Sequence, residues 1–129
     1  MEIKASDVKA LRDKTGAGMM ECKKALVDSN GDPAAAEKLL KEKGLAAVAK
    51  RSDRAAGEGR IFVKQDGNRI AIVEMTCETD FVAKNDDFIA LGEKLVSITL
   101  EKNYTEVAQE HKDLMQELAI KIRENMEVR

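Results

Sequence analysis

The sequence has few of the residues on which metal, redox and catalytic sites depend. Its 129 residues contain one His, two Cys and no Trp. Cys22 and Cys77 lie far apart and neither has a second Cys nearby, which excludes a zinc knuckle and a Cys-x-x-Cys redox pair. We expect both to be small core residues, and His111, which falls in a helical pattern without a nucleophile or carboxylate set, to be structural. We therefore predict neither a metal nor a cofactor.

Long apolar runs and an excess of one charge are also lacking. No apolar run approaches the roughly 20 residues that span a bilayer, and residues 1–4 do not begin a signal sequence. The formal net charge is -2, so no basic field would attract nucleic acid or acidic lipid. These observations predict a soluble cytoplasmic protein that binds neither nucleic acid nor membranes directly.

Catalytic motifs are absent as well. The sequence has no G-x-S-x-G, no H-E-x-x-H and no Walker loop. Residues 15–19 contain a G-x-G, but no strand precedes it and no third Gly follows, so a helix-to-helix turn is favoured over a nucleotide loop. An enzyme is not predicted, because a small enzyme would need a titratable constellation that the sequence does not offer.

Stop signals divide residues 1–50 into three short helices, which is the pattern of a compact three-helix module. Ser6 can cap the first helix, Asp32 and Pro33 start the third, and Gly44 ends it before a helical-looking stretch at 45–50. The second helix carries three apolar residues at steps of three and four, which predicts one inner face: Met19, Cys22 and Leu26.

The rest of the chain predicts a polar linker and a second domain. Residues 51–59 are polar and contain Gly, whereas residues 60–129 form the predicted core domain. Alternating apolar residues flank Asp66-Gly67 and predict a β-hairpin: Ile61, Val63, Ile70 and Ile72. Helix starts at Asn85 and Thr105 then predict two antiparallel helices packed on the hairpin. The predicted fold class is α+β.

Two surface features have open interpretations on pattern alone. Met20 is rotated by about 100° from Met19, onto a face with Lys23 and Lys24, where it should be at least half exposed. It is either an ordinary surface residue or a partner contact, with Arg12 at the edge of the same patch. Likewise, Phe81 and Val82 lie in a segment too short for an independent element, and they either plug the core or project towards another protein.

Two long motifs resemble the elongation factor Ts family and occur in the family's order. The first is LRDKTGAGMMECKKAL at residues 11–26, continuing to Gly31-Asp32, and the second is ETDFVAKN at residues 78–85. The resemblance runs from about residue 3 to the closing ENMEVR at residues 124–129. It implies a ubiquitin-associated-like three-helix domain followed by a mixed core, in agreement with the pattern of helices and strands.

The resemblance also implies a function. Members of this family bind elongation factor Tu with bound GDP and act as guanine-nucleotide exchange factors. Their Thr-Asp-Phe-Val tip displaces the nucleotide's Mg²⁺, and the amino-terminal module grips the same GTPase domain. Carried over to this chain, the tip comprises Thr79, Asp80, Phe81 and Val82. The grip comprises Arg12, Met19 and Met20.

One departure from the family affects these expectations. The family's core normally continues beyond the equivalent of Arg129, into strands and helices that also touch the partner. We therefore expect partner binding to be retained but exchange to be weaker, and the open hairpin edge could pair with a second copy of the chain. The main alternative is a binding-only fragment that docks on elongation factor Tu without efficient exchange.

Overall fold

The computed structural model describes residues 2–129, and its six helices and one three-stranded sheet confirm the α+β class. The chain divides into two compact units, one that runs to Ala49 and one from Lys50 to Arg129. In chain order, the elements are α1 (Ala5–Thr15), α2 (Met19–Asp28), α3 (Pro33–Lys50), β1 (Glu58–Asp66), β2 (Arg69–Cys77), α4 (Asp80–Ala83), α5 (Asp86–Glu101), α6 (Gln109–Ile122) and β3 (Glu127–Val128).

The amino-terminal unit contains the three predicted helices around a small aliphatic core. α1 ends at Gly16, whose left-handed conformation lets its amide donate to the carbonyl of Arg12. Asp32 caps α3 as predicted, because its carboxylate accepts from the amide of Ala34 at 3.0 Å. The buried side chains come from all three helices: Val8, Leu11, Cys22, Ala25, Leu26, Ala36 and Leu40.

Three sequence predictions for this unit are wrong. α1 begins at Ala5, with Lys4 in the cap position, so Ser6 is already helical. α3 continues through Gly44 to Lys50, and no left-handed turn occurs at that glycine. Met19 is 52% exposed instead of facing inward with Cys22. It is the first residue of α2, and its side chain leans towards the helix start, beyond the core.

The second unit is built on the predicted hairpin. β1 and β2 pair antiparallel, with Val63 opposite Ile72, and Gly67 takes a positive φ of 62° in the turn. β3, which was not predicted, adds to the other edge of β2 and gives the order β1-β2-β3. Backbone hydrogen bonds of 2.8 Å in both directions between Glu74 and Arg129 extend this pairing.

The alternating apolar residues that identified the hairpin lie on its exposed face. Ile61, Val63, Ile70 and Ile72 are between 59% and 64% exposed. The opposite face is also apolar and forms the core with α5, through Phe62, Ala71, Val73 and Met75 from the strands and Phe88, Leu95, Val96 and Leu100 from the helix. Alternation therefore identified the strands, but it did not identify their buried side.

The two long helices of this unit pack differently from the prediction. α5 contacts both strands of the hairpin, whereas α6 contacts α5 and β3. α6 begins at Gln109 and not at Thr105, because the ring of His111 supplies the cap: its Nδ1 accepts from the amide of Ala108 at 2.9 Å. The region predicted as a linker, 51–59, holds a turn and then the first two residues of β1.

Candidate partner-binding site

A single helical turn, α4, projects between β2 and α5. We call Thr79–Val82 the tip. Thr79 is the N-cap of α4, and its hydroxyl oxygen accepts from the amide of Val82 at 3.3 Å. This cap is the reason that a segment predicted to be too short for an element of its own forms a turn of helix.

The tip presents its aromatic side chain to solvent. Phe81 is 83% exposed, the highest value among the large apolar residues of the described chain. The buried residue of α4 is Ala83, two residues later. The core-plug interpretation of Phe81 is therefore wrong. Because burying a Phe is worth roughly 1.5–3 kcal/mol, an aromatic ring left in water marks a candidate contact surface.

The four tip residues divide into two exposed and two partly buried side chains. Asp80 is exposed next to Phe81, and its carboxylate lies 3.9 Å from the ammonium group of Lys84. Thr79 and Val82 are partly buried. The arrangement presents one aromatic ring and one negative charge on a support that is fixed to the rest of the unit.

That support comes mainly from Glu124, which follows α6. Its Oε1 accepts from the backbone amides of Glu78 and Thr79, both at 3.0 Å. Its Oε2 accepts from the hydroxyl of Thr79 at 2.7 Å. Charge-assisted hydrogen bonds of this kind are shorter and stronger than neutral ones, so the start of the tip is tightly held.

Glu78 and Asn125 complete the connection in the opposite direction. The Oε2 of Glu78 accepts from the amide of Asn125 at 2.7 Å and lies 3.7 Å from a guanidinium nitrogen of Arg54. The Nδ2 of buried Asn125 donates to the carbonyl of Arg54 at 2.7 Å. We call Glu78, Glu124 and Asn125 the clasp.

Two further groups bind the backbone of α4 and of its N-cap, Thr79. The Nε of Arg60 in β1 donates to the carbonyl of Ala83 at 2.6 Å, at the end of α4. The Sγ of Cys77 donates to the carbonyl of Thr79 at 3.2 Å. Burial, followed by the charge of Glu124, raises the pKa of Cys77 to about 11, which keeps this thiol protonated and able to donate.

Sequence reasoning missed the residues that hold the tip. Glu124 and Asn125 were part of the closing ENMEVR motif, but no role was assigned to them. Their hydrogen bonds reach 45 to 47 residues back along the chain. No periodicity or spacing rule covers that separation, so only their place in a motif could have drawn attention to them.

The predicted grip residues lie in the amino-terminal unit. Met20 is 75% exposed, which confirms the expected exposure of at least half. Met19 is exposed too, so it is not part of the core. Arg12 is exposed and lies 3.9 Å from the carboxylate of Asp13, close enough only for a weak surface pair. Two exposed Met side chains offer flexible, polarisable contact area.

The described residues 2–129 provide little for other kinds of site. No group of three or more His, Cys, Asp or Glu side chains among them is arranged to hold a metal ion. None of the helices in this range is long and apolar enough to cross a membrane. His111 is buried, with its Nε2 2.8 Å from the hydroxyl of Thr99, which confirms a structural position.

The fold and the tip define a two-unit α+β protein with an apolar, solvent-facing projection. Comparison with known proteins shows which family this protein resembles. The elongation factor TS family model matches residues 78–129, a range that includes the tip and the clasp. The chain is thus similar to the elongation factor Ts family, and residues 78–129 match its family model.

Curated relatives named elongation factor Ts match almost the whole chain. The protein from Treponema denticola is 61% identical over 98% of this chain and 45% of its own length. The relative from Clostridium acetobutylicum is 46% identical over 98% of this chain and 46% of its own. The relative from Idiomarina loihiensis is 43% identical over 100% of this chain and 47% of its own length. The chain thus spans slightly less than half the length of these relatives.

Proposed function

We propose that the chain is a guanine-nucleotide exchange factor for elongation factor Tu and acts in protein synthesis in the cytoplasm. It binds the GDP form, and the tip displaces the nucleotide's Mg²⁺ and promotes GDP release. Arg12, Met19 and Met20 hold the same partner. The main support is Phe81, an 83% exposed aromatic ring on an anchored turn. The chain does no covalent chemistry in this function and binds no nucleic acid.

The energetics limit what the ring can achieve alone. Each tenfold acceleration of GDP release requires about 1.4 kcal/mol off its barrier. Burying one Phe side chain yields roughly 1.5–3 kcal/mol, which corresponds to one or two decades. Asp80 adds a negative charge that repels phosphate oxygens once the balancing Mg²⁺ is lost. Larger acceleration therefore requires the ion to leave and the grip to hold.

The proposal has a reciprocal consequence. If this protein weakens the binding of nucleotide to its partner, nucleotide weakens the binding of this protein by the same factor. Abundant GTP then displaces the exchange factor and ends the cycle. A titration of the complex with GTP should therefore release this chain from elongation factor Tu.

Release of a fluorescent GDP from elongation factor Tu tests the function. We expect saturating wild-type chain to accelerate GDP release. We expect Phe81→Ala to reduce this acceleration at least tenfold and to leave the thermal stability unchanged. Ile72→Ala is a matched control, because it truncates another exposed apolar side chain of the same unit away from the tip. No acceleration by the wild-type chain would contradict the proposal.

A second candidate is a binding-only function. In this function, the exposed side chains of Phe81, Met19 and Met20 only hold the partner. In that case, the chain binds elongation factor Tu with the GDP release rate unchanged. Binding measured by titration calorimetry, next to the release assay, separates the two functions.

We also propose that two copies pair through an open edge of the sheet. β1 is at one end of the strand order β1-β2-β3, and an unpaired edge strand presents free amides and carbonyls. The mass in solution at increasing concentration tests this association. A mass of one chain at all concentrations would contradict it.

A further inference from the structure

We propose that Glu124, supported by Glu78 and Asn125, is a positioning residue that fixes the tip in the orientation needed for nucleotide release. This inference rests on the proposed exchange function. It assigns a role to Glu124 and Asn125, which lie after α6 and far from the tip in sequence, and to Glu78, which directly precedes the tip.

The first argument is that one carboxylate satisfies the groups that start the tip. Glu124 accepts from the amides of Glu78 and Thr79 and from the hydroxyl of Thr79. An ionised carboxylate can only accept, so the hydroxyl must direct its hydrogen at Glu124. The lone pairs of the Thr79 hydroxyl oxygen then accept the hydrogen bond from the amide of Val82, and this hydrogen bond caps α4. Glu124 thus determines the direction of the cap.

The second argument is that the connection is made twice, in opposite directions. The carboxylate of Glu124 accepts a hydrogen bond from the amide of Glu78. The carboxylate of Glu78 accepts one from the amide of Asn125, the neighbour of Glu124. Asn125 is buried and also donates to the carbonyl of Arg54. Two reciprocal hydrogen bonds prevent either segment from sliding along the other. The tip therefore keeps one position relative to the sheet.

The third argument concerns what the side chain of Phe81 lacks. The ring is almost fully exposed, so packing within its own chain does not hold it in place. Its direction must come from the backbone of α4, a helix of only four residues. That backbone is held by the clasp at its start and by Arg60 at its end. A misplacement of 1 Å in a reacting arrangement can lower a rate about a hundredfold.

Glu124→Gln is the discriminating variant. Gln keeps the size and one accepting oxygen, but its amide nitrogen cannot accept from the hydroxyl of Thr79. The matched control is Glu127→Gln, which makes the same change in charge three residues later. The side chain of Glu127 is exposed and forms an ion pair with Arg129. Both variants are compared in the fluorescent GDP release assay over a range of concentrations.

We expect Glu124→Gln to lower the maximal release rate about tenfold to a hundredfold, with less than a threefold change in the half-saturating concentration. The double variant Glu124→Gln, Phe81→Ala should release GDP no more slowly than Phe81→Ala alone, because the clasp acts through the ring. A simple loss of folding would slow release in both backgrounds. An equal effect of Glu124→Gln with and without Phe81 would overturn the proposal.

Amide hydrogen exchange in the free chain separates this inference from the exchange function. Glu124→Gln should increase the exchange rate of the Val82 amide at least tenfold, while amides in the middle of α5 keep theirs. If the wild-type chain does not accelerate GDP release, the proposed function and the role in release both fail, whereas this measurement still decides whether Glu124 orients the tip. Unchanged exchange at Val82 would refute that role.

Discussion

Thr79 makes three hydrogen bonds through its amide and hydroxyl, and they explain how a turn of four residues persists at the surface. The amide and the hydroxyl both donate to Glu124, and the hydroxyl oxygen accepts from Val82. A helix this short is marginal without tertiary contacts. The exposed Phe81 therefore depends on polar contacts and not on apolar burial for its orientation.

Cys77 provides a prediction at the same scale. Its thiol is fully buried, and its pKa of about 11 leaves far less thiolate at pH 8 than a free Cys has. In a Cys22→Ala background, iodoacetamide should alkylate Cys77 at least about a hundredfold more slowly in the folded chain than in urea. Mass spectrometry over time gives both rates, and similar rates would show that the thiol is accessible.

At the scale of the element, local signals predicted the helices and the hairpin, whereas tertiary contacts decided the details. Asp32 and Gly67 act within a few residues, so their cap and turn could be read from the sequence. The direction of Met19 depends on where the core ends, and β3 is only two residues long and depends on β2 for its partner. Neither property is encoded in a local period.

Gly92 makes a close approach between α5 and β1 possible. A Cβ added at this glycine would overlap two ring atoms of Phe62, which is itself buried. We expect Gly92→Ala to lower the free energy of unfolding by about 1–3 kcal/mol, as overpacking of a core does. Urea denaturation measures the loss. In the control variant Gly57→Ala the new methyl group meets no atom within 4 Å, so a change no larger than about 0.5 kcal/mol is expected.

The cap of α6 predicts a dependence on pH. The Nδ1 of His111 accepts from the amide of Ala108, so its proton lies on Nε2 and points to the hydroxyl of Thr99. Burial is the main cause that lowers the pKa of His111 from its ordinary 6.5, against the opposing charge of Glu110. The unfolded chain therefore takes up this proton at a higher pH than the folded chain.

It follows that stability is lost as the pH falls below about 6.5, with a slope of at most about 1.4 kcal/mol per pH unit. Urea denaturation between pH 7.5 and 5.5 measures this slope. His111→Asn keeps an acceptor for the amide of Ala108 and cannot titrate, so its stability should change less over the same range. Parallel curves for the two proteins would show that His111 does not cause the loss.

At the scale of the whole molecule, the proposed function assigns different tasks to the two units. The amino-terminal unit offers exposed Met side chains on α2, and the second unit offers the anchored tip. A surface that only holds the partner contributes to the ground state and the transition state alike. The tip contributes when the nucleotide leaves, so the two units should affect different kinetic constants.

Met20→Ala tests this division. Met20 is 75% exposed, so its truncation should leave the fold intact. We expect the half-saturating concentration for GDP release to rise about tenfold, since burial of a Met side chain is worth roughly 1.5–3 kcal/mol, with the maximal rate within twofold of wild type. Phe81→Ala should show the opposite pattern, a lower maximal rate with a smaller change in half-saturation. Lys38→Ala, an exposed change on α3, is the control. If Met20→Ala lowers the maximal rate as strongly as Phe81→Ala does, holding and release are not divided between the two units.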